Sequence, residues 1–537
     1  MSDAGNRPNI ILIMVDDMGF SDIGCYGSEI ATPNIDALAS GGLRFSQFYN
    51  SARCCPTRAS LLTGLHPHQA GIGHMTIDFE VPPYRGFLNE NCVTIAEALG
   101  AAGYTTLMAG KWHAGGDYPY RGWKDVEPGD ATHPTPRQRG FQHFYGTLAG
   151  SGSFFDPHTL MRDDDYIDPD NYGDYYYTDA IAENAADFIR DHGQGPDPFF
   201  LYVGFTAPHW PLHALPEDIA KYRGKYSDGW DPVRTDRHEE QQGMGLLDAK
   251  WEISPRDETA PDWDSVELKD WEDARMAVYA AQVDRMDQGV GAIMSRVREL
   301  GMDDNTLVMF LSDNGGCAEF LREDGIPDTA PPRTRDGRTI TAGNHRGVMP
   351  GEETTYLSYD LPWANASDTP FRLYKHFTHE GGISTPFIAH WPDRIPANRI
   401  IHAPGWIGDV MATCLDAAGA PYPSEFNGNP ITPLEGESLM PAFVGDGWTR
   451  DRPVIIEHEG NVAVRADNWK LVRRYPGQFE LYDIDEDRTE LHDQAVANPQ
   501  KLGELTGLYD DFAGAVGIVE WRELIEHPAG ARFKKWL

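Results

Sequence analysis

The stretch Asn9-Ile10-Ile11-Leu12-Ile13-Met14-Val15-Asp16-Asp17 sets the architecture of this 537-residue chain. Residues 9–15 form a continuous apolar run without alternation, which is typical of a strand buried on both faces of a sheet. The run ends abruptly in two adjacent carboxylates, which repel each other unless a cation lies between them. Asp16 and Asp17 therefore indicate either a metal site or a polar turn leading into Met18-Gly19.

Three further apolar runs, at residues 104–109, 198–205 and 306–311, also lead into polar side chains. The polar residues that follow them are Lys111 and His113, then His209, then Asp313 and Asn314. Taken singly, Asp-Asn-Gly is a plain turn and a histidine between proline and tryptophan is a packed structural residue. In open, mostly parallel sheets, ligands bind outside the carboxyl ends of the strands. Four such coincidences therefore predict one shared site.

The acidic residues of this set offer one kind of ligand. Asp16, Asp17, Asp313 and Asn314 supply only hard oxygen donors, without the cysteine and histidine spacing of a zinc site. Calcium tolerates many oxygen ligands, whereas magnesium demands a stricter geometry. The set therefore favours Ca²⁺ over Mg²⁺.

A second motif, Cys54-Cys55-Pro56-Thr57-Arg58, continues through Ala59-Ser60-Leu61-Leu62-Thr63 to Gly64. Proline just inside a helix start and glycine just past its end predict a short helix with Cys54 at its N-terminal mouth. The helix dipole and Arg58 would lower the pKa of a thiol at that position. The plain alternative is a small, buried, unreactive cysteine.

Cys-x-Pro-x-Arg with its continuation to Gly64 resembles the signature of type I sulfatases. Residues 103–113, GYTTLMAGKWH, resemble the second signature of that family. The resemblance extends over nearly the whole chain and points to the bacterial arylsulfatases of the alkaline phosphatase superfamily. It implies an α/β fold in which helices sandwich a large mixed, mostly parallel sheet, followed by a small C-terminal antiparallel sheet with a helix.

The resemblance also implies a chemistry. Only Cys54 of the adjacent pair has proline two residues on and arginine four on, so it would be oxidised to Cα-formylglycine by a formylglycine-forming maturation enzyme. The hydrated aldehyde would be the nucleophile. The implied catalytic residues are Cys54, Arg58, Lys111, His113, His209 and Lys375. The implied ligands of a divalent metal are Asp16, Asp17, Cys54, Asp313 and Asn314.

Two positions depart from the family pattern. Arg53 stands where a small or aliphatic residue usually precedes the cysteine, and it adds a cation beside the site. Ser384 stands where an arginine usually follows Gly381-Gly382-Ile383.

The charge balance limits the partners of this chain. It has 45 basic and 83 acidic residues, a formal net charge of −38. Such a surface repels nucleic acid, anionic membranes and sulfated polysaccharides. A small sulfate ester can still be held by a local cationic pocket, and Phe154, Phe155 and Trp210 are candidate aromatic walls for its leaving group.

The chain shows no pattern of secretion or membrane insertion. The polar stretch from Met1 to Pro8 lacks a basic segment followed by an apolar one, and no window reaches the length of a membrane span. The six cysteines are scattered, without the density of a disulfide scaffold. We therefore expect a soluble, cytoplasmic protein.

The pattern of elements predicts two domains. Residues 1–447 alternate strands and helices and would form the catalytic domain, with loops over residues 119–177 and 319–370. Residues 448–537 carry short, closely spaced strands and a helix. His66, His68 and His74 are irregularly spaced and are interpreted as ordinary surface histidines or as second-layer residues behind the site.

The best-supported hypothesis is hydrolysis of small aryl or alkyl sulfate monoesters. One alternative is a phosphonate monoester or phosphodiester hydrolase of the same superfamily, built on the same nucleophile. The other is a non-catalytic anion-binding protein in which Cys54 stays a thiol. The sequence makes no prediction of the oligomeric state.

Overall fold

A computed structural model describes residues 7–120, 122–193, 195–323, 330–445 and 447–530. The predictions for residues 1–6 and 531–537 lie outside this range. The strands are β1 (Asn9–Val15), β2 (Leu43–Phe45), β3 (Phe48–Tyr49), β4 (Thr105–Gly110), β5 (His143–Thr147), β6 (Leu160–Arg162), β7 (Asp165–Tyr166), β8 (Phe199–Gly204), β9 (Thr306–Ser312), β10 (Thr341–Ala342), β11 (Thr355–Tyr356), β12 (Phe387–His390), β13 (Arg399–Ile401), β14 (Gly405–Trp406), β15 (Glu425–Phe426), β16 (Asn429–Pro430), β17 (Val454–His458), β18 (Asn461–Ala466), β19 (Trp469–Arg473) and β20 (Phe479–Asp483).

The helices are α1 (Pro33–Ser40), α2 (Cys54–Thr63), α3 (Pro67–Ala70), α4 (Ile95–Ala101), α5 (Tyr177–His192), α6 (Pro216–Tyr222), α7 (Trp230–Gly243), α8 (Lys269–Glu299), α9 (Asp360–Ser367), α10 (Glu380–Ile383), α11 (Asp409–Ala418), α12 (Met440–Val444), α13 (Pro499–Val516) and α14 (Trp521–Glu526). Within the described ranges, no helix is long and apolar enough to cross a membrane.

The centre of the molecule is a ten-stranded mixed sheet in the order β13-β2-β12-β9-β1-β8-β4-β5-β6-β7. β1 lies between β8 and β9 and is parallel to both, and β4 and β5 continue the parallel set. β12 runs antiparallel to β9 and to β2. The predicted large, mostly parallel sheet is therefore confirmed, and β1 is one of its central strands.

The two faces of the sheet carry separate apolar cores. Ile11, Ile13 and Val15 of β1 belong to one core, which includes the buried faces of α5 and α8. Ile10, Leu12 and Met14 belong to the other, with residues of α2, α4 and α11. Successive side chains of a strand point to opposite faces, so a strand covered on both sides must be apolar throughout.

The C-terminal strands β17 to β20 form a four-stranded antiparallel sheet, each strand pairing with the next. Residues of α13, among them Leu505 and Tyr509, share a small apolar core with this sheet. The predicted antiparallel sheet with a helix is confirmed. The domain boundary at residue 447 stays a prediction.

Two stretches predicted as loops are more ordered than expected. Residues 119–177 contain β5, β6 and β7, which extend one edge of the main sheet. Residues 319–370 contain α9 and two short strands. Both stretches contain many glycine and aspartate residues, so tertiary pairing overrides their weak local preference.

Candidate active site

The sheet brings the acidic residues together at the carboxyl ends of its central strands. Val15 of β1 pairs with Ser312 of β9, so Asp16 and Asp313 leave the sheet side by side. The Asp17 amide donates to Asp313 Oδ1 at 3.3 Å, and Asn314 Nδ2 donates to Asp17 Oδ1 at 2.8 Å. The adjacency that the sequence pattern predicted for these four residues is present.

This oxygen group suits a hard divalent cation. Asp16 Oδ1 and Asn314 Oδ1 are buried and have no hydrogen-bond partner. A buried acceptor without a partner is costly, and a metal ion would satisfy both oxygens. Asp16, Asp17 and His209 also present ligand atoms within 4.8 Å of one another. Cys54 lies close enough that its charge raises the pKa of both Asp16 and Asp313.

Three cationic side chains balance the three carboxylates. Lys111 Nζ bonds Asp16 Oδ2, Lys375 Nζ lies 2.8 Å from Asp17 Oδ1, and Arg58 Nη2 donates to Asp313 Oδ2 at 2.9 Å. Arg58 Nη1 also donates a hydrogen bond to the hydroxyl of Tyr202 on β8, at 3.0 Å. The six charged residues Asp16, Asp17, Asp313, Arg58, Lys111 and Lys375 are called the active-site cluster below.

The cluster shifts the pKa values of its members in opposite directions. Burial raises the pKa of Asp16, but Lys111, His209 and Arg58 outweigh it and bring this pKa to about 2. Burial and the negative charge of Asp16 raise the pKa of Asp313 well above its ordinary value. A cation among these oxygens would favour the ionised form of Asp313.

Cys54 is the first residue of α2 and Arg53 is its N-cap, with extended backbone. The helix ends at Gly64, whose φ of 68° explains why glycine stands there. Both predictions about this helix are confirmed. A hydrogen bond from the Cys55 thiol is the largest influence lowering the pKa of Cys54, and Lys111 and His113 also lower it. Arg58, which we expected to lower this pKa, is not among its main causes.

His113 contacts the adjacent cysteines of α2. Its Nε2 is 3.1 Å from Cys55 Sγ, and burial lowers its pKa to about 4. At neutral pH His113 is therefore an uncharged imidazole that can accept a proton.

His209 lies beside Lys375 and Asp17. Its Nδ1 is 2.6 Å from the carbonyl oxygen of Trp210, which can only accept, so Nδ1 carries a hydrogen. Its Nε2 then faces the site, 3.4 Å from Asp17 Oδ2 and 3.5 Å from Lys375 Nζ. All ten residues singled out from the sequence thus surround one pocket, and their individual roles stay predictions.

Sequence reasoning missed several neighbours of the site. Tyr202 is a polar residue within an otherwise apolar strand, and that exception was a usable signal. Glu319 has no such signal: it accepts from Trp210 Nε1 at 2.8 Å and from Arg53 Nη2 at 3.3 Å. Of the three candidate aromatic walls, Trp210 lies beside His209 with the two ring planes tilted by 46°, whereas Phe154 and Phe155 pack against Tyr176.

Ser384, which stands where the family usually has an arginine, contacts an arginine that is distant in sequence. Arg488 Nη2 donates to Ser384 Oγ at 2.8 Å, and its Nε donates to Glu380 Oε2 at 2.7 Å. Lys470 Nζ lies 2.7 Å from Glu380 Oε1 and 2.7 Å from Glu490 Oε1. These four buried residues, Glu380, Lys470, Arg488 and Glu490, are called the Glu380 cluster.

Of the two interpretations of His66, His68 and His74, the surface one is wrong for two of the three, and the second-layer one stays a prediction. His68 and His74 are buried. Their Nε2 atoms lie 3.0 Å from Glu457 and 2.9 Å from Glu459 of the C-terminal segment. Those partners are more than 380 residues away in the sequence, so local spacing does not reveal them.

Comparison with protein families gives two matches. The Sulfatase family model matches residues 8–420. A model for the C-terminal region of N-sulphoglucosamine sulphohydrolase matches residues 371–506, which include β17 to β20.

Comparison with individual proteins agrees with the match to the Sulfatase family. An uncharacterized sulfatase of Schizosaccharomyces pombe is 32% identical over 547 residues, covering 96% of this chain and 94% of the relative. An arylsulfatase of Klebsiella aerogenes is 33% identical over 454 residues, covering 81% and 91%. Among solved structures, Ps i-CgsB superposes with a TM-score of 0.66 and 25% identity, covering 94% of this chain and 93% of that one.

Proposed function

Because the chain belongs to the sulfatase family and is a sulfuric ester hydrolase, we propose that its substrates are small aryl or alkyl monosulfates. The observation that carries this proposal is the contrast between pocket and surface. Lys111, Lys375 and Arg58 are buried in the pocket, whereas the whole chain has a formal charge of −38. A single sulfate can be held by the local cations, but a chain of sulfates senses the field of the whole protein.

The family generally uses a formylglycine and a divalent metal ion. In this chain Cys54 would become the formylglycine, and Asp16, Asp17, Asp313 and Asn314 would hold the ion, which supplies positive charge and lowers the pKa of a bound hydroxyl. The hard oxygen donors favour Ca²⁺. The unpartnered buried oxygens of Asp16 and Asn314 support this assignment.

The residues around Cys54 fit a two-step transfer. One hydroxyl of the hydrated formylglycine loses its proton to solvent and attacks sulfur as an oxyanion, and the bond from sulfur to the ester oxygen breaks. Lys111 and Lys375 offset the negative charge on the sulfuryl oxygens, while Arg58 holds the diol. The departing oxygen takes a proton from His209 or Lys375, which lie 3.5 Å apart on the same side of the pocket.

His113 completes the cycle. As a neutral imidazole, it takes the proton of the second hydroxyl, the carbon–oxygen bond to sulfate breaks, and the aldehyde forms again. Water then hydrates the aldehyde. The net reaction consumes one water and gives the alcohol or phenol and inorganic sulfate.

Trp210 supports an aromatic or apolar leaving group. Its ring centroid lies 4.6 Å from that of His209, the candidate acid for the leaving oxygen. An aryl group departing on this side would find an aromatic surface within reach.

Steady-state kinetics at one ionic strength test the proposal. We expect a kcat/KM for an aryl monosulfate far above that for a sulfated oligosaccharide or an aryl phosphonate monoester. Comparable values for the aryl sulfate and the oligosaccharide would contradict the surface-charge argument. A higher value for the phosphonate would favour the phosphonate hydrolase instead.

Mass spectrometry of the Cys54 peptide separates the enzyme from an anion-binding protein. Protein from a host with the maturation machinery should carry a peptide about 18 Da lighter than the thiol form. An unmodified thiol in protein without sulfatase activity would support the non-catalytic alternative.

A further inference from the structure

A second group of metal-binding side chains lies outside the active-site cluster. His74 follows α3, His458 ends β17, and Glu459 occupies the turn between β17 and β18. Their ligand atoms all lie within 4.8 Å of one another. We propose that His74, His458 and Glu459 bind a second divalent ion of the zinc type, which joins the C-terminal sheet to the catalytic part of the chain.

The distances suit a tetrahedral ion. Zinc binds imidazole nitrogen and carboxylate oxygen at about 2.0–2.1 Å, so two ligand atoms of one tetrahedral site lie about 3.3 Å apart. Glu459 Oε1 is 2.9 Å from His74 Nε2 and 3.5 Å from His458 Nε2. These two separations bracket the expected value, so the ion fits after small side-chain shifts.

The buried imidazole of His458 supports the same conclusion. Its Nδ1 is buried without a hydrogen-bond partner, and its Nε2 has only the 3.5 Å contact with Glu459 Oε1, although a buried imidazole normally makes at least one good hydrogen bond. Its ring stacks on that of His74, with centroids 5.3 Å apart and planes 9° apart.

Glu459 has a left-handed backbone conformation that is unfavourable for glutamate. His458 pairs with Asn461, so Glu459 and Gly460 form a two-residue hairpin turn with φ of 54° and 77°. Such turns favour asparagine or glycine at the first position, and the left-handed conformation is unfavourable for glutamate. A role for its carboxylate explains why glutamate stands there.

The surrounding charges are compatible with an ion. The second oxygen of Glu459 lies 3.0 Å from His376 Nδ1, which would fix the ligating carboxylate. Arg53 Nη1 is 4.0 Å from Glu459, but Glu319 lies closer to that guanidinium, at 3.3 Å. The Glu459 side chain is 18% exposed, which gives an ion access from solvent.

Two imidazoles and one carboxylate select the metal. Nitrogen donors suit zinc and its neighbours in the first transition row, whereas calcium prefers oxygen alone. The two proposed sites therefore differ in chemistry, and a water molecule would complete the tetrahedron.

Metal analysis of the full-length chain tests this site. Cys54, Cys55 and His113 are also close enough to bind zinc, so every protein in the test carries Cys54→Ala and Cys55→Ala. After dialysis against a weak chelator and exposure to zinc, we expect about one more equivalent per chain than in the same protein carrying His458→Gln. Any zinc bound at Asp16 and Asp17 would be equal in the parent protein and in the variant, so it does not affect the difference in zinc content.

His68→Gln is the matched control, because it removes a buried imidazole that bonds the neighbouring Glu457 at the same interface. It should keep the zinc that His458→Gln loses. Cobalt should reproduce the pattern, with the visible absorption of a tetrahedral Co²⁺ ion absent only from His458→Gln. If His458→Gln does not fold, Glu459→Gln replaces it, because that side chain is partly exposed. Equal zinc content in the parent and in a folded variant would overturn the proposal.

Discussion

The active-site cluster and the Glu380 cluster are both built from buried carboxylates facing lysine and arginine, and they differ in how completely their polar atoms are used. In the Glu380 cluster, both oxygens of Glu380 accept hydrogen bonds, and Nε, Nη1 and Nη2 of Arg488 all donate. Glu490 Oε1 makes no hydrogen bond but lies 2.7 Å from the Lys470 ammonium group. In the active-site cluster, Asp16 Oδ1 and Arg58 Nε have no partner. Asp17 also has a φ of 63°, in the left-handed region.

The difference distinguishes a structural role from a binding role. A buried charge that is fully paired holds two parts of a chain in one arrangement, and it has no bonding capacity left for a ligand. A buried charge with a spare acceptor is costly unless something else binds there. Three substitutions and one pH series test whether this distinction holds, and they follow in order of decreasing expected effect.

Cys54→Ala should have the largest effect, because it removes the proposed nucleophile without touching either cluster's ion pairs. We expect kcat/KM for an aryl sulfate to fall about 10⁴-fold or more while the far-UV circular dichroism is unchanged. Cys55→Ala is the control, since it lacks the motif spacing and should keep most activity. Equal losses at the two positions would contradict the assignment.

Glu380→Gln should mainly change stability. It leaves Lys470 and Arg488 with one counter-charge between them, and breaking a buried pair costs about 3–5 kcal/mol of unfolding free energy. The measurement is denaturant-induced unfolding. Glu486→Gln removes a pair with Lys250 whose side chains are 71% and 42% exposed, and it should cost less than about 1 kcal/mol. Similar losses in the two variants would remove the contrast between buried and exposed pairs.

The stabilisation by Glu380 should depend on pH. Burial raises its pKa, but Arg488 and Lys470 outweigh burial and lower it from 4.5 to about 2. A lowered folded-state pKa gives stability that is fully present above about pH 4.5 and is lost as the pH falls towards 2. The difference between wild type and Glu380→Gln, about 3 kcal/mol from this shift, should therefore shrink over that window. A difference that stays constant from pH 6 to pH 3 would refute the link.

Asp313→Asn should affect activity more than folding. It removes one charge from the metal-binding oxygens, so calcium content and kcat/KM should fall together, activity by about 100-fold. Asp287→Asn is a matched control, because Asp287 is also buried but accepts from the backbone of Asn34 and Ile35. Elemental analysis that found no calcium in the wild-type protein would contradict the oxygen-ligand argument.

The parts of the fold that sequence could predict are those with local causes. β1 is apolar because both faces are covered, and α2 is bounded by Pro56 and Gly64, so each carries its own signal. The four strand ends converge because parallel strands end at one edge of a sheet. Seven of the ten residues of the proposed active site were therefore predictable from four strand ends. Cys54 and Arg58 came from the Cys-x-Pro-x-Arg motif, and Lys375 came only from the family resemblance.

The unpredicted parts depend on partners distant in sequence. β5 joins the main sheet through β4, although its own sequence contains glycine and polar residues. Arg488 donates to Ser384 across 104 residues. His74 meets Glu459 across 385 residues, and no spacing rule connects them. Pairing at this range is decided by tertiary packing.

The burial of Cys54 also sets a time limit during synthesis. Cys54 is 2% exposed, and α2 packs against α11, which begins at Asp409. A ribosome adding roughly 5–20 residues per second makes those intervening residues in roughly 20–70 s. We expect an enzyme that oxidises Cys54 to reach it most easily before α11 packs against α2. Slower translation between these two helices would lengthen that interval and raise the converted fraction.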